Sequence, residues 1–115
     1  MKRGEIWKIN LDPTIGAEIR KTRPGIIISV DAVGILPLRV IIPIAEWKDR
    51  YKIASWMVRL DPDDQNHLQK VSAADTFQVR SISTSRFVEL VGTISEEKTK
   101  EIELALAEVL GIHFS

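Results

Sequence analysis

The sequence predicts an α+β, mainly β protein: five to seven mostly antiparallel strands followed by one long helix, most simply closed as a small barrel. Three observations lead there. The apolar runs are short and rich in Ile and Val, as strands are; Asp-Pro pairs and a Ser/Thr cluster interrupt them; and helical spacing of apolar residues takes over only in the C-terminal stretch. With 115 residues, 44% hydrophobic and 28% charged, the chain can bury one core but not two, so a single domain is expected over residues 1–115.

Glu5 to Leu11 alternates Ile6, Lys8 and Asn10 with Trp7, Ile9 and Leu11 until Asp12-Pro13 stops it. Gly25 to Val30 and Leu38 to Ile44 are near-continuous Ile/Val runs, the pattern of strands buried on both faces. Trp56 to Leu60, Thr76 to Ile82 and Phe87 to Thr93 read as further strands, separated by Asp61-Pro62-Asp63-Asp64 and by a polar Ser/Thr turn. Ser95 can cap the helix, with Glu96 and Glu97 at the positive end of its dipole. Ile102, Ala105, Leu106, Val109 and Leu110 form one apolar stripe that packs on the sheet, and Gly111 sits where helices commonly end.

Composition narrows the chemistry. The absence of cysteine excludes disulfides, thiolate metal sites and a thiol nucleophile, and points to the cytoplasm. No signal-like apolar stretch follows Met1-Lys2-Arg3-Gly4-Glu5, and no run approaches membrane-spanning length, so neither export nor a membrane is expected. Sixteen basic residues balance sixteen acidic ones, yet their distribution is uneven. Met1 to Arg23 holds six Lys or Arg against three acids, whereas Ser95 to Glu108 is dominated by glutamates, so a locally positive surface can exist on a neutral protein.

Three segments can carry function. The long polar loop Asp12 to Pro24 presents Arg20, Lys21 and Arg23. These are phosphate contacts or the charges of a solvated loop, and Arg23, before a proline, is held extended at the mouth of a buried strand. Pro43 to Tyr51 interleaves Trp47 and Tyr51 with Lys48 and Arg50. Such a pattern suits base stacking on single-stranded nucleic acid, and equally suits a core or dimer interface. In Ser72 to Ile82, Gln78 and Arg80 share one strand face at period two, lining a groove or facing solvent. His67 and His113 have no partner at metal-ligand spacing, so neither a metal nor a histidine base is expected. No phosphate-cradling glycine loop, nucleophile elbow or zinc-protease pair is present.

Together these residues resemble a known family. Lys2-Arg3-Gly4-Glu5-Ile6-Trp7, Leu11-Asp12-Pro13-Thr14, Gly16, Glu18 and Thr22-Arg23-Pro24 followed by the Ile run are similar to the N-terminal signature of the PemK/MazF toxins. Val40-Ile41-Ile42-Pro43-Ile44 resembles their central strand, and Gln78-Val79-Arg80-Ser81-Ile82-Ser83 their Gln-x-Arg-Thr-Ile motif. The resemblance covers nearly the whole chain. It implies an SH3-like barrel with a C-terminal helix and a homodimer, needing no metal or other cofactor. The implied activity is cleavage of single-stranded RNA by attack of the ribose 2′-hydroxyl, leaving a 2′,3′-cyclic phosphate and a 5′-hydroxyl. By that analogy Arg23 supplies positive charge to the phosphorane and can also supply the proton to the leaving oxygen, and Glu18 is a base or an orienter of Arg23. Arg20, Lys21, Thr22, Trp47, Lys48, Gln78 and Arg80 bind RNA, and Asp75 reads a base edge, orients an arginine or simply makes a turn.

One departure stands out: where the family commonly carries Thr or Ser after the central Pro-x pair, this chain has Ala45, followed by Glu46. Loss of that hydroxyl is expected to reduce activity, with Glu46 as a compensating carboxylate base; a weakened nuclease that still binds its partner is the alternative. The implied partner is a cognate antitoxin whose acidic C-terminal segment folds into the RNA groove, DNA being contacted only through the antitoxin. A competing reading from another class is a non-enzymatic poison resembling the CcdB toxins that trap DNA gyrase.

Overall fold

The computed structural model describes residues 1–113, in which β1 (Glu5–Asn10), β2 (Thr22–Ile27), β3 (Leu38–Glu46), β4 (Met57–Leu60), β5 (Ser72–Asp75), β6 (Arg80–Ser83) and β7 (Phe87–Thr93) precede α1 (Glu96–Leu110). All strand pairs are antiparallel, in the order β4-β5-β3-β2-β1-β7, with β6 also on β3. The predicted α+β architecture of five to seven strands and a C-terminal helix is therefore present, with seven strands.

The longest strand, β3, organises the sheet. It meets β2 through Gly25↔Pro43 to Ile27↔Ile41, β6 through Leu38↔Ser83 to Ile41↔Arg80, and β5 through Ile44↔Ala74 to Glu46↔Ser72. Successive isoleucines enter different cores, because alternate side chains leave opposite faces of a strand. Ile26, Ile42, Ile44, Val58, Leu60 and Ala74 pack with Ile102 and Ala105 of α1. Ile27, Ile41, Ile9, Leu11 and Ile82 form a second cluster under Trp7 and Phe87. Burial on both faces is what the unbroken Ile runs required. The clean alternation expected in β1 is not kept. Ile6 and Ile9 are both fully buried, one in each cluster, because register shifts against β7 turn the strand twice.

The expected strand Thr76 to Ile82 is a second difference. Residues Thr76–Gln78 form a 3₁₀ turn between β5 and β6, so Gln78 and Arg80 do not share a strand face. The Asp75 carboxylate accepts from Phe77 N at 3.1 Å and caps this turn, while the buried Thr76 hydroxyl donates to Trp56 O at 2.6 Å. These side-chain bonds offer the backbone an alternative to the ladder.

Helix α1 begins where Ser95 Oγ accepts from Lys98 N at 3.1 Å. It ends with Gly111 at φ +69°, its N–H directed at Glu108 O and the Ile112 N–H at Ala107 O, the paired bonds of a Schellman motif. The buried stripe is narrower than expected: Ile102 and Ala105 are buried, Leu106 and Val109 half-buried, and Leu110 exposed.

The two ends of the strand order, β4 and β7, are joined by the loop of residues 61–71 instead of by a ladder. Thr93 N donates to Gln65 O at 3.0 Å, Gln65 Nε2 to Ile94 O at 3.3 Å, and the His67 ring meets Val91 O at 2.9 Å. Asn66, 3% exposed, braces this loop by accepting from Asp63 N and Leu68 N and donating to Asp61 O. Gly92 permits the approach, since a Cβ there would lie 2.6 Å from the carbonyl oxygens of both Gln65 and Asn66.

Candidate functional site

Arg23 is the second residue of β2, opposite Ile9 of β1, and its side chain is exposed. Proline after it holds the backbone extended. The Gly25↔Pro43 register, carried on by two residues, sets Arg23 alongside Ala45, where β3 has turned away to pair with β5. An open groove of about 760 Å³ occupies this divergence. Arg23, Ala45 and Glu46 line it together with Lys8 from β1 and with His67 and Lys70 from the loop of residues 61–71, which closes the seam between β4 and β7. Glu89, paired with Lys8 across the β1–β7 ladder, lines it too. Three permanent cations thus face two carboxylates. Neither Arg23 nor Glu46 takes part in any of the four ion pairs among the described residues, so both can engage a ligand.

The other residues singled out in the sequence go elsewhere. Glu18 lines a different groove of about 420 Å³ with Gln78, Arg80 and Phe77, and the two grooves share no residue. Its carboxylate accepts from Ile15 N at 2.7 Å and closes a turn in the loop between β1 and β2. Glu18 is thus not brought to Arg23 as base or orienter. Gln78 Oε1 accepts from Ile19 N at 2.5 Å, and Gln78 Nε2 donates to Ala17 O at 3.4 Å and Asp75 Oδ2 at 3.1 Å. Arg80 Nη1 donates to Leu11 O at 3.2 Å, and Arg86 Nη1 donates to the carbonyls of Asn10 and Asp12. These side chains fasten the loop to the barrel. Burial raises the Asp75 carboxyl above its ordinary pKa, with the bonds from Phe77 N and the Gln78 amide opposing that rise.

Arg20, Lys21 and Thr22 are exposed and line neither groove. Lys21 adopts φ +68°, and its N–H donates to Asp12 Oδ1 at 3.0 Å. Lys48 is exposed beyond the end of β3. The half-buried Trp47 ring meets the Arg59 guanidinium on its face at 5.5 Å and the Tyr51 ring edge-on at 5.8 Å. Both contacts compete with a base for that ring.

Sequence reading passed over Lys8 and Lys70 and set His67 aside as a metal ligand or base. Lys8 looked like one polar position of an alternating strand, and the other two belong to a loop whose position depends on the seam. Only the registers bring them to Arg23. Among the described residues no three His, Asp or Glu side chains are grouped to hold a metal ion, and no helix is long and apolar enough to cross a membrane.

Comparison with known proteins agrees with this architecture. The chain is 31% identical to the endoribonuclease MazF9 of Mycobacterium tuberculosis over 110 residues, covering 92% of each. It is 39% identical over 62 residues to the endoribonuclease PemK of Escherichia coli, covering 53% of this chain and 47% of that one. Among solved structures, MazF from Deinococcus radiodurans superposes with a TM-score of 0.79 at 24% identity, covering 96% of both chains. A mycobacterial endoribonuclease in complex with its cognate antitoxin also gives 0.79, at 16% identity, over 100% of this chain and 99% of that one. Those two likenesses speak for the fold. The family model described as PemK-like, MazF-like toxin of type II toxin–antitoxin system matches residues 2–110. With nearly every residue of the barrel and helix inside that match, the chain belongs to the PemK-like, MazF-like toxins of type II toxin–antitoxin systems.

Proposed function

We propose that this chain is a metal-independent endoribonuclease that cuts single-stranded RNA in the groove between β2 and β3, and that Arg23 and Glu46 carry the chemistry. The observation that supports this reading most directly is their placement in one open groove, both without an ion-pair partner among the described residues. Named relatives are endoribonucleases, which supports the class of reaction; the lining of the groove supports the roles given to its side chains.

Attack of a ribose 2′-hydroxyl on the adjacent phosphorus needs a group to take the hydroxyl proton and positive charge beside the phosphorane. Glu46 is the base. The Arg23 guanidinium donates hydrogen bonds to the non-bridging oxygens, its planar fork suited to two of them at once. Lys8 and Lys70 extend the positive field along the backbone on either side. The Ala45 side chain has no polar atom to offer a substrate, so the carboxylate next to it carries a larger share of the work than a neighbouring hydroxyl would leave it.

The same cations receive the acidic tail of a cognate antitoxin, so inhibitor and RNA exclude each other. The solved complex of a relative with its antitoxin supports that partnership. The working unit is a cytoplasmic homodimer, touching DNA only through the antitoxin.

Incubating the purified protein with a long unstructured RNA in EDTA tests this reading. Discrete cuts ending in 2′,3′-cyclic phosphate are expected. Arg23→Ala should slow them by about 10²–10³-fold, the cost of removing one transition-state donor, without altering the thermal melt. Intact RNA together with inhibited DNA gyrase would instead identify a CcdB-like poison.

A further inference from the structure

The proposed reaction leaves one proton unaccounted for. As the phosphorus–5′-oxygen bond breaks, the departing alkoxide needs a proton, and none of Arg23, Glu46, Lys8, Lys70 or Glu89 supplies it well. Guanidinium and ammonium groups hold their protons far above neutrality, and ionised carboxylates only accept. The remaining titratable side chain on the groove is His67.

Its geometry is that of an anchored group. His67 adopts φ +54°, a left-handed conformation that is uncommon for a non-glycine residue. Its N–H donates to Asp63 O at 3.3 Å, and the braced Asn66 precedes it. The ring is anchored through Nδ1, 2.9 Å from Val91 O. A carbonyl only accepts, so Nδ1 carries a hydrogen in either protonation state. Proton exchange is thereby confined to Nε2, the other side of the ring.

We propose that His67 is the general acid of this site, donating its Nε2 proton to the leaving 5′-oxygen. The inference rests on the ribonuclease reading above and completes its proton ledger. Glu46 takes the 2′-hydroxyl proton as the 2′-oxygen bonds to phosphorus. The phosphorus–5′-oxygen bond breaks, and its electron pair accepts the proton from Nε2. The products are a 2′,3′-cyclic phosphate, a 5′-hydroxyl, neutral His67 and protonated Glu46, and proton exchange with water resets both side chains.

A sulfur substitution separates this role from a structural one, because a thiolate departs without being protonated. Two RNA oligonucleotides are compared, one natural and one with sulfur replacing the bridging 5′-oxygen at the phosphate that is cut. His67→Asn is the informative variant. Its amide nitrogen can keep the bond to Val91 O, and asparagine tolerates the left-handed backbone, but nothing remains at the Nε2 position. The variant should cut the natural RNA about 10²-fold more slowly than the wild type and the sulfur-bridged RNA at a rate within about twofold of it. His67→Gln, followed by circular dichroism, should show the same contrast and guards against misfolding of the first variant. Equal slowing on both substrates, or slowing on neither, overturns the assignment of His67 while leaving the nuclease standing. Failure of the wild type to produce cyclic-phosphate ends from either RNA overturns the nuclease, and the His67 role with it.

Discussion

Arg23 shows what a local pattern can and cannot reveal. Its extended backbone follows from Pro24, and its importance from the resemblance of Thr22-Arg23-Pro24 to a known signature. The company it keeps was not legible, because Lys8, His67 and Lys70 reach it through β-sheet register and a loop closure spanning the chain. Asp75 is the opposite case: read as a base reader, an orienter or a turn residue, it caps a 3₁₀ turn and holds the Gln78 amide. Burial raises its carboxyl pKa in the folded state. Between the ordinary carboxylate pKa and that raised value the native state binds more protons than the unfolded one. Asp75 therefore favours folding most at low pH, and its contribution falls as pH climbs through the raised pKa. The stability difference between wild type and Asp75→Asn, from urea unfolding at several pH values, should shift against the wild type as pH rises and then level off.

Strands announced by unbroken Ile/Val runs were legible because two-sided burial demands apolar residues at every position. The helix was legible through its cap, its stripe and its closing glycine. The β5–β6 segment was not, since Ser72 to Ser83 carries no periodicity that separates a strand from two strands with a turn between them. What divides it is a pair of side-chain hydrogen bonds, from Asp75 and Thr76. The seam between β7 and the loop of residues 61–71 was equally invisible, although Gly92 marks it in retrospect. A methyl group there meets two backbone carbonyls that belong to a different part of the chain and have no flexible end to yield. Gly92→Ala should cost about 2–3 kcal/mol in urea denaturation, the upper range for overpacking. Gly111→Ala, with nothing near its Cβ but φ +69°, should cost only about 1 kcal/mol.

Taken together, the elements divide the labour between two grooves. One, between β2 and β3, holds the charges of Arg23 and Glu46, unpaired among the described residues; the other, under the loop between β1 and β2, is occupied with fastening that loop through Gln78 and Arg80. Residues assigned to one RNA site in the sequence thus fall in different places, Arg23 and Glu46 lining the open groove and Gln78 and Arg80 keeping the scaffold rigid. Net neutrality is compatible with this arrangement because attraction for a polyanion depends on the field inside the groove, not on the sum over the surface.

A cylinder latched by a few loop amides, where other cylinders are laced shut along a full strand, has a weak line down one side. If that latch slips, the wall bearing His67 and Lys70 swings off the floor bearing Arg23, and the groove between them ceases to exist before the rest of the molecule melts. Deuterium uptake should accordingly be faster at Thr93 and His67, whose N–H groups bond to or within the latch, than at the Ile26 and Ile42 amides of the central ladder. A non-cleavable RNA lacking the attacking 2′-hydroxyl should slow uptake at the first pair and leave the second unchanged, tying occupancy of the chamber to the tightness of its clasp.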